Sequence, residues 1–177
     1  MSEERYTRTA MWLHWLIAAA VLAQIGFGRY LGSIPRGTPD RSIFVNYHKS
    51  VGIVIGLLIV MRISWRLAHR PPPLPASMPL WERCAALANH GLLYTCMLLM
   101  PITGYVASNF SKFGVKFFNL VPLPPWGTDN RSVYEFFNEL HWTVSYVFML
   151  LIAIHVLAAL KHILYPRHGI LRRMLPL

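Results

Sequence analysis

Residues 136–165 read FFNELHWTVSYVFMLLIAIHVLAALKHILY, an apolar run that contains two histidines, His141 and His155. A helix crosses a bilayer in about 20 residues, so this run is long enough to do so. The histidines are fourteen residues apart, which is about 21 Å along a helix and close to four turns, so both imidazoles lie near one face. An imidazole in hydrocarbon is costly unless it binds something, and the spacing therefore predicts two stacked metal or haem sites.

The composition of the whole chain is that of a membrane protein. Hydrophobic residues make up 55% of the 177 residues, charged residues 14%, and the mean hydropathy is +0.41, which argues against a soluble enzyme. The net charge of +10 would indicate nucleic-acid binding in a soluble protein. Here the basic residues occupy short segments between apolar runs, so we expect a lipid bilayer or an anionic substrate as their partner, and no nucleic acid.

Four apolar runs have the length of helices and are too long for strands. They cover residues 10–31, 45–67, 82–108 and 136–165. The segments between them are rich in proline and turn residues, most clearly 68–81 and 109–135. We therefore predict an all-α integral membrane protein, a single domain over residues 1–177 in which a four-transmembrane-helix bundle encloses the two sites.

Four spans place both chain ends on one side of the membrane. That side holds ten Lys and Arg residues and the other side seven, so the positive-inside rule predicts that both termini are cytoplasmic. The outer side also holds four acidic residues, which leaves it a net charge of +3. This excess predicts attraction of a small anion to the outer face.

The depths of the histidines along the helices indicate which of them can share a site. His14 lies six residues after Arg8 and His155 six residues before Lys161, so both lie about 9 Å from the inner surface. His48 and His141 both lie near the outer surface. His14 and His155 can therefore share an inner site, and His48 and His141 an outer site.

Haem suits these pairs better than zinc does. Zinc prefers four ligands, usually with some cysteine or carboxylate, whereas a haem needs two axial ligands from facing helices. Small residues would let a porphyrin approach a helix, and the candidates are Gly26, Gly28, Gly52 and Gly56. Plain helix packing explains those glycines equally well.

Other polar residues near the two sites have more than one interpretation. His90 lies at the same inner depth as His14 and His155, where it could be an alternative ligand, contact a propionate or a quinone, or be structural. Arg62 and Arg66 could bind haem propionates or a quinone, or simply extend to the headgroups. Lys49 could steer an anion to the outer site. The sequence identifies no catalytic acid or nucleophile.

The chain resembles the bacterial cytochrome b561 family over nearly its whole length. The resemblance rests on RYTRTAMWLHWL around His14, NYHKSVGI around His48, ANHGLLYTCMLLMPITGY around His90, and ELHWTVSYVFMLLIAIHVLAALKH with His141 and His155; the tail GILRRMLP is also similar. It implies a multi-pass protein of the bacterial inner membrane with two non-covalent haems b, ligated by the same four histidines. Some members oxidise superoxide and reduce ubiquinone, and the likeness alone implies that activity here.

Three functions remain as hypotheses. The first is a diheme oxidoreductase that takes electrons from superoxide at the outer face and passes them to ubiquinone. The second is a cytochrome b carrier or anchor subunit, which relays electrons between quinone and a partner dehydrogenase; a homo-oligomer is also compatible with the sequence. The third is a small transporter whose histidines relay protons.

Overall fold

The computed structural model describes residues 5–75, 77–164 and 171–174. Within these residues the chain forms four long helices: α1 (Arg8–Ser33), α2 (Arg41–Ala68), α3 (Leu80–Asn109) and α4 (Arg131–Leu164). Each is long and apolar enough to cross a membrane, which confirms the predicted four-helix fold. Tyr165, the last residue of the fourth predicted run, lies outside the described residues.

Each helix begins two to five residues before the apolar run that predicted it. Thr7 caps α1, and its Oγ1 accepts a hydrogen bond from the Ala10 N–H at 3.3 Å. Helix α3 continues through Pro101, which packs on α2: a Cβ at Gly56 would lie 3.1 Å from the Pro101 Cβ. Gly56 therefore serves helix packing, the alternative that the sequence left open.

The helices pack in chain order, α1 along α2, α2 along α3 and α3 along α4. In the described residues, the backbone of α4 approaches α1 and α2 at few points. Buried side chains fill the middle of the bundle: Ile17, Val21, Ile55, Ile59, Cys96, Val144, Phe148 and Leu151. Large apolar side chains such as Leu57 and Leu157 are exposed, which suits a surface that faces lipid.

Both described chain ends lie at one end of the bundle, here called the inner end. The Tyr6 N–H donates to the Arg173 carbonyl at 3.3 Å, and Trp15 Nε1 donates to the Met174 carbonyl at 2.9 Å. Residues 171–174, a short 3₁₀ helix, therefore lie beside the start of α1. The opposite end, where α1 leads into α2 and α3 into α4, is called the outer end.

The connection from α3 to α4 contains a hairpin, where the sequence predicted only a turn-rich loop. Strands β1 (Val115–Phe117) and β2 (Val121–Leu123) pair antiparallel. Phe118 and Asn119 have φ values of 47° and 61°, the left-handed conformation that tight hairpin turns require. The Phe118 N–H donates to Ser50 Oγ of α2 at 2.7 Å, so the hairpin lies against the outer part of that helix.

Candidate functional site

The outer end brings together His48 of α2 and His141 of α4. Their ring centroids are 6.4 Å apart and their planes are inclined by 84°, and both side chains are half-buried. Each ring lies against a glycine: a Cβ at Gly28 would be 3.0 Å from His48 Cε1, and a Cβ at Gly104 would be 3.2 Å from His141 Cε1. The two glycines therefore provide the space that the rings occupy.

The inner end brings together three histidines, His14 of α1, His90 of α3 and His155 of α4. The ring centroids of His14 and His155 are 6.3 Å apart, with planes inclined by 71°. His90 and His155 are closer, with centroids 5.4 Å apart. His14 and His155 are half-buried, whereas His90 is exposed. The structure thus places His90 next to the predicted pair, as a third member of one cluster.

The separation of the predicted pairs suits a metal ion held between two imidazoles. Histidine–metal bonds of about 2.0–2.1 Å place two ligating nitrogens about 4 Å apart when they face each other across the metal. Because each ring centroid lies behind its nitrogen, the two centroids are then about 6.4 Å apart. The pairs His48–His141 at 6.4 Å and His14–His155 at 6.3 Å agree with this value. At 5.4 Å, His90 and His155 are about 1 Å too close. This geometry favours His14 over His90 as the partner of His155.

The donor set also suits a planar cofactor with two axial ligands. Among the residues that the structure describes, no three His, Cys, Asp or Glu side chains are grouped to hold a bare metal ion. Both pairs instead join α4 to a helix that its backbone approaches at few points, and haem is bound between helices in this way. The residues present therefore fit two haems, one for each pair.

Partners from distant parts of the chain hold the outer histidines. His141 Nδ1 lies 3.0 Å from the Met100 carbonyl oxygen and 3.1 Å from Thr103 Oγ1, and Gln24 Nε2 donates to the His48 carbonyl at 2.6 Å. No local pattern in the sequence predicted these contacts, because the partners are 24 to 41 residues apart. The detectable signal was the presence of Gln24 and Thr103, two polar residues, inside apolar runs.

Arg62 and Arg66 lie at the inner end of α2, where the sequence placed them. Arg62 Nη1 donates to the Ala10 carbonyl at 2.9 Å, one turn before His14 on α1. Arg66 lies over Tyr94, 5.5 Å from the ring centroid. Both arginines line an open cleft together with Tyr6, Ala10, Trp65, His69, Pro71 and Tyr94. Guanidinium groups in such a position can bind a carboxylate.

Lys49, the predicted guide for anions, also holds the hairpin. Its Nζ donates to the Gly114 carbonyl at 2.7 Å. One turn earlier, Asn46 Nδ2 donates to Asn119 Oδ1 at 2.9 Å. The hairpin therefore fixes the position of the Lys49 ammonium, a positive charge next to His48 in the chain. No local pattern in the sequence indicated this contact.

Comparisons with known proteins agree with the resemblance that the sequence motifs indicate. The sequence profile of a family described as prokaryotic cytochrome b561 matches residues 5–177. Cytochrome b561 homolog 2 of Escherichia coli K12 is 30% identical over 97% of this chain and 92% of its own length. Cytochrome b561 homolog 1 of the same strain is 26% identical over 97% of both chains. A protein of Yersinia pestis named probable superoxide oxidase CybB is 25% identical, over 98% of this chain and 97% of its own.

Proposed function

Because the chain belongs to the prokaryotic cytochrome b561 family, bacterial membrane proteins that bind b-type haem and transfer electrons, we propose that it holds two haems b. We propose further that it moves electrons from the outer face of the inner membrane towards the cytoplasmic side, with both termini in the cytoplasm. The family assignment itself favours electron transfer over a proton-relay transporter.

The observation that carries this proposal is the matched separation of two histidine pairs, 6.4 Å and 6.3 Å, at opposite ends of α4. His48 and His141 would hold an outer haem, and His14 and His155 would hold an inner haem. When bound, the haems supply reversible one-electron oxidation and reduction. The helices contribute the position of the ligands, about 21 Å apart along α4.

We infer that superoxide is the electron donor and ubiquinone the acceptor. Two superoxide ions lose one electron each and leave as O₂, while one ubiquinone takes two electrons and two protons to become ubiquinol. No bond to the protein forms, so this reaction requires no nucleophile. The net charge of +3 predicted for the outer face and the ammonium of Lys49 beside His48 support the attraction of an anionic donor. The likeness to a protein named probable superoxide oxidase also supports it.

At the inner end we assign Arg62 and Arg66 to carboxylate binding. Arg62 contacts Ala10, one turn before His14 on α1, and from there it can bind a propionate of the inner haem. His90 contacts His155 at a separation too short for an axial partner. We therefore place His90 beside the inner haem, where its imidazole can hydrogen-bond a propionate or a quinone.

The experiment that tests haem binding is a reduced-minus-oxidised visible spectrum of the purified protein, with haem counted per chain. We expect b-type bands and two haems per chain. Protein that folds in the presence of haem and yet binds none would refute the proposal.

Superoxide oxidation has a separate test, in which anaerobic stopped-flow mixing with superoxide is followed by haem absorbance. Reduction should be faster than dismutation, and faster at low salt than at high salt because salt screens the attraction. Haem reduction no faster than dismutation would exclude superoxide as the donor while leaving the haem assignment intact.

A second candidate is a carrier that accepts electrons from a partner dehydrogenase. Exposed apolar side chains near the hairpin favour it, because Phe113 is 88% exposed and Leu120 79% exposed, and such groups are common where proteins meet. A stable complex with a dehydrogenase in mild detergent, together with no reaction with superoxide, would establish this alternative.

A further inference from the structure

Thr103 of α3 contacts a proposed haem ligand through a side chain that is almost fully buried. It is 1% exposed. Its hydroxyl lies 2.7 Å from the Leu99 carbonyl in its own helix, and the same oxygen lies 3.1 Å from His141 Nδ1. Most helical threonines make only the first of these contacts, so the second requires an explanation.

These contacts determine which nitrogen of His141 carries the proton. The Met100 carbonyl lies 3.0 Å from Nδ1, and a carbonyl can only accept a hydrogen bond, so Nδ1 must be protonated. The Thr103 hydroxyl has two carbonyl acceptors, Leu99 at 2.7 Å and Met100 at 3.2 Å, and donation to either one leaves the Thr103 oxygen free to accept from Nδ1. The Nδ1 proton is therefore shared between two acceptors, and Nε2 is the nitrogen available for a metal.

The same turn of α3 also positions the ring itself. A Cβ at Gly104 would lie 3.2 Å from His141 Cε1 and 3.3 Å from Nδ1. Residues 100–104 thus provide a carbonyl, a hydroxyl oxygen and an open surface for one imidazole. A ring held on three sides has little freedom to rotate.

The partner histidine is held differently. His48 Nδ1 is buried and has no hydrogen-bond partner among the residues that the structure describes. Gln24 contacts only the backbone carbonyl of His48, at 2.6 Å. Within the described part of the chain, Nδ1 of His141 therefore has hydrogen-bonding partners, whereas Nδ1 of His48 has none.

We propose that Thr103 is a positioning residue, which with the Met100 carbonyl sets the tautomer of His141 and strengthens it as a ligand of the outer haem. This inference rests on the proposed function. A hydrogen bond from Nδ1–H makes an imidazole a stronger electron donor, and a stronger donor stabilises the ferric state. Thr103 therefore lowers the reduction potential of the outer haem and leaves that of the inner haem unchanged.

The test is a redox titration of Thr103→Val, which keeps the shape of the side chain and removes the hydroxyl. Thr103→Ser, which keeps the hydroxyl, is the conservative variant. The matched control is Thr95→Val on the same helix, because the Thr95 hydroxyl makes the same type of contact, 3.1 Å to the Gly91 carbonyl, and contacts none of the histidine side chains that the structure describes. The outer haem is identified as the component absent from His48→Ala.

In Thr103→Val we expect two haems per chain and a higher potential for the outer haem only. At the potential where the wild-type outer haem is half reduced, its reduced-to-oxidised ratio should rise about threefold to tenfold, the scale of one hydrogen bond. Thr103→Ser and Thr95→Val should titrate as wild type. Unchanged potentials in Thr103→Val, or an equal shift of both haems, would overturn the inference. Absence of haem from the wild type would instead overturn the proposed function.

Discussion

Replacing Gly28 with alanine should expel or weaken the outer haem without unfolding the protein. The new Cβ would lie 3.0 Å from His48 Cε1, whereas ordinary contacts begin at 3.4 Å, so the ring must move by about 0.4 Å. Without a haem the ring can rotate away at little cost. With a haem, the iron fixes the ring and the collision must be relieved by strain or by loss of the ligand.

The magnitude follows from the cost of overpacking, which is about 1–3 kcal/mol. Because each 1.4 kcal/mol corresponds to a factor of ten, the affinity of the outer site for haem should fall about fivefold to a hundredfold. The inner site, at the other end of α4, should be unaffected. The assay is haem per chain after purification, with the rate of haem transfer to a soluble acceptor protein.

Gly26→Ala is the matched control: the sequence left Gly26 as a candidate for porphyrin contact, but it is exposed, lies on the side of α1 opposite Gly28, and a Cβ there meets nothing within 4 Å. It should retain two haems, and its helix should gain about 0.5–1 kcal/mol of stability because alanine replaces glycine. If Gly28→Ala retains haem as well as Gly26→Ala does, then the ring of His48 is not fixed by a haem and the ligand assignment fails.

Three further predictions concern the inner site, the topology and the hairpin. His14→Ala should remove the inner haem and spare the outer one, whereas His90→Ala should retain both haems; the visible spectrum and the haem count per chain measure this. Loss of the inner haem in His90→Ala but not in His14→Ala would make His90 the ligand. Cys84 is exposed and Cys96 buried, and Cys84 lies near the start of α3, at the same end of the bundle as the termini. A membrane-impermeant maleimide should therefore label Cys84 in inverted vesicles but not in intact spheroplasts. The reverse result would place the termini outside. Lys49→Met removes the donor to the Gly114 carbonyl, and the lost hydrogen bond should destabilise the docked hairpin by about 1.5–3 kcal/mol. Amide hydrogen exchange in residues 115–123 should therefore become about tenfold faster or more. Unchanged exchange would show that other contacts hold the hairpin.

The overall architecture was predictable because it depends on local properties of the chain. A bilayer about 30 Å thick requires long apolar helices, and four such runs stand out from their proline-rich connections. The position of His141 and His155 on one helix follows from 3.6 residues per turn and needs no tertiary information. The hairpin at Val115–Leu123 was not predicted, since its register depends on hydrogen bonds to α2 as well as on its own short strands.

The sequence by itself therefore determined four membrane helices, the depth of each histidine and the two candidate pairs. Depth alone could not separate His14 from His90, because both lie at the same distance from the inner surface. Only the tertiary structure, through centroid distances of 6.3 Å and 5.4 Å to His155, favoured one of them. It also revealed the contacts of Lys49 and Thr103. Rise per residue fixes position along a helix axis, but lateral distances and hydrogen bonds between helices depend on how the helices pack.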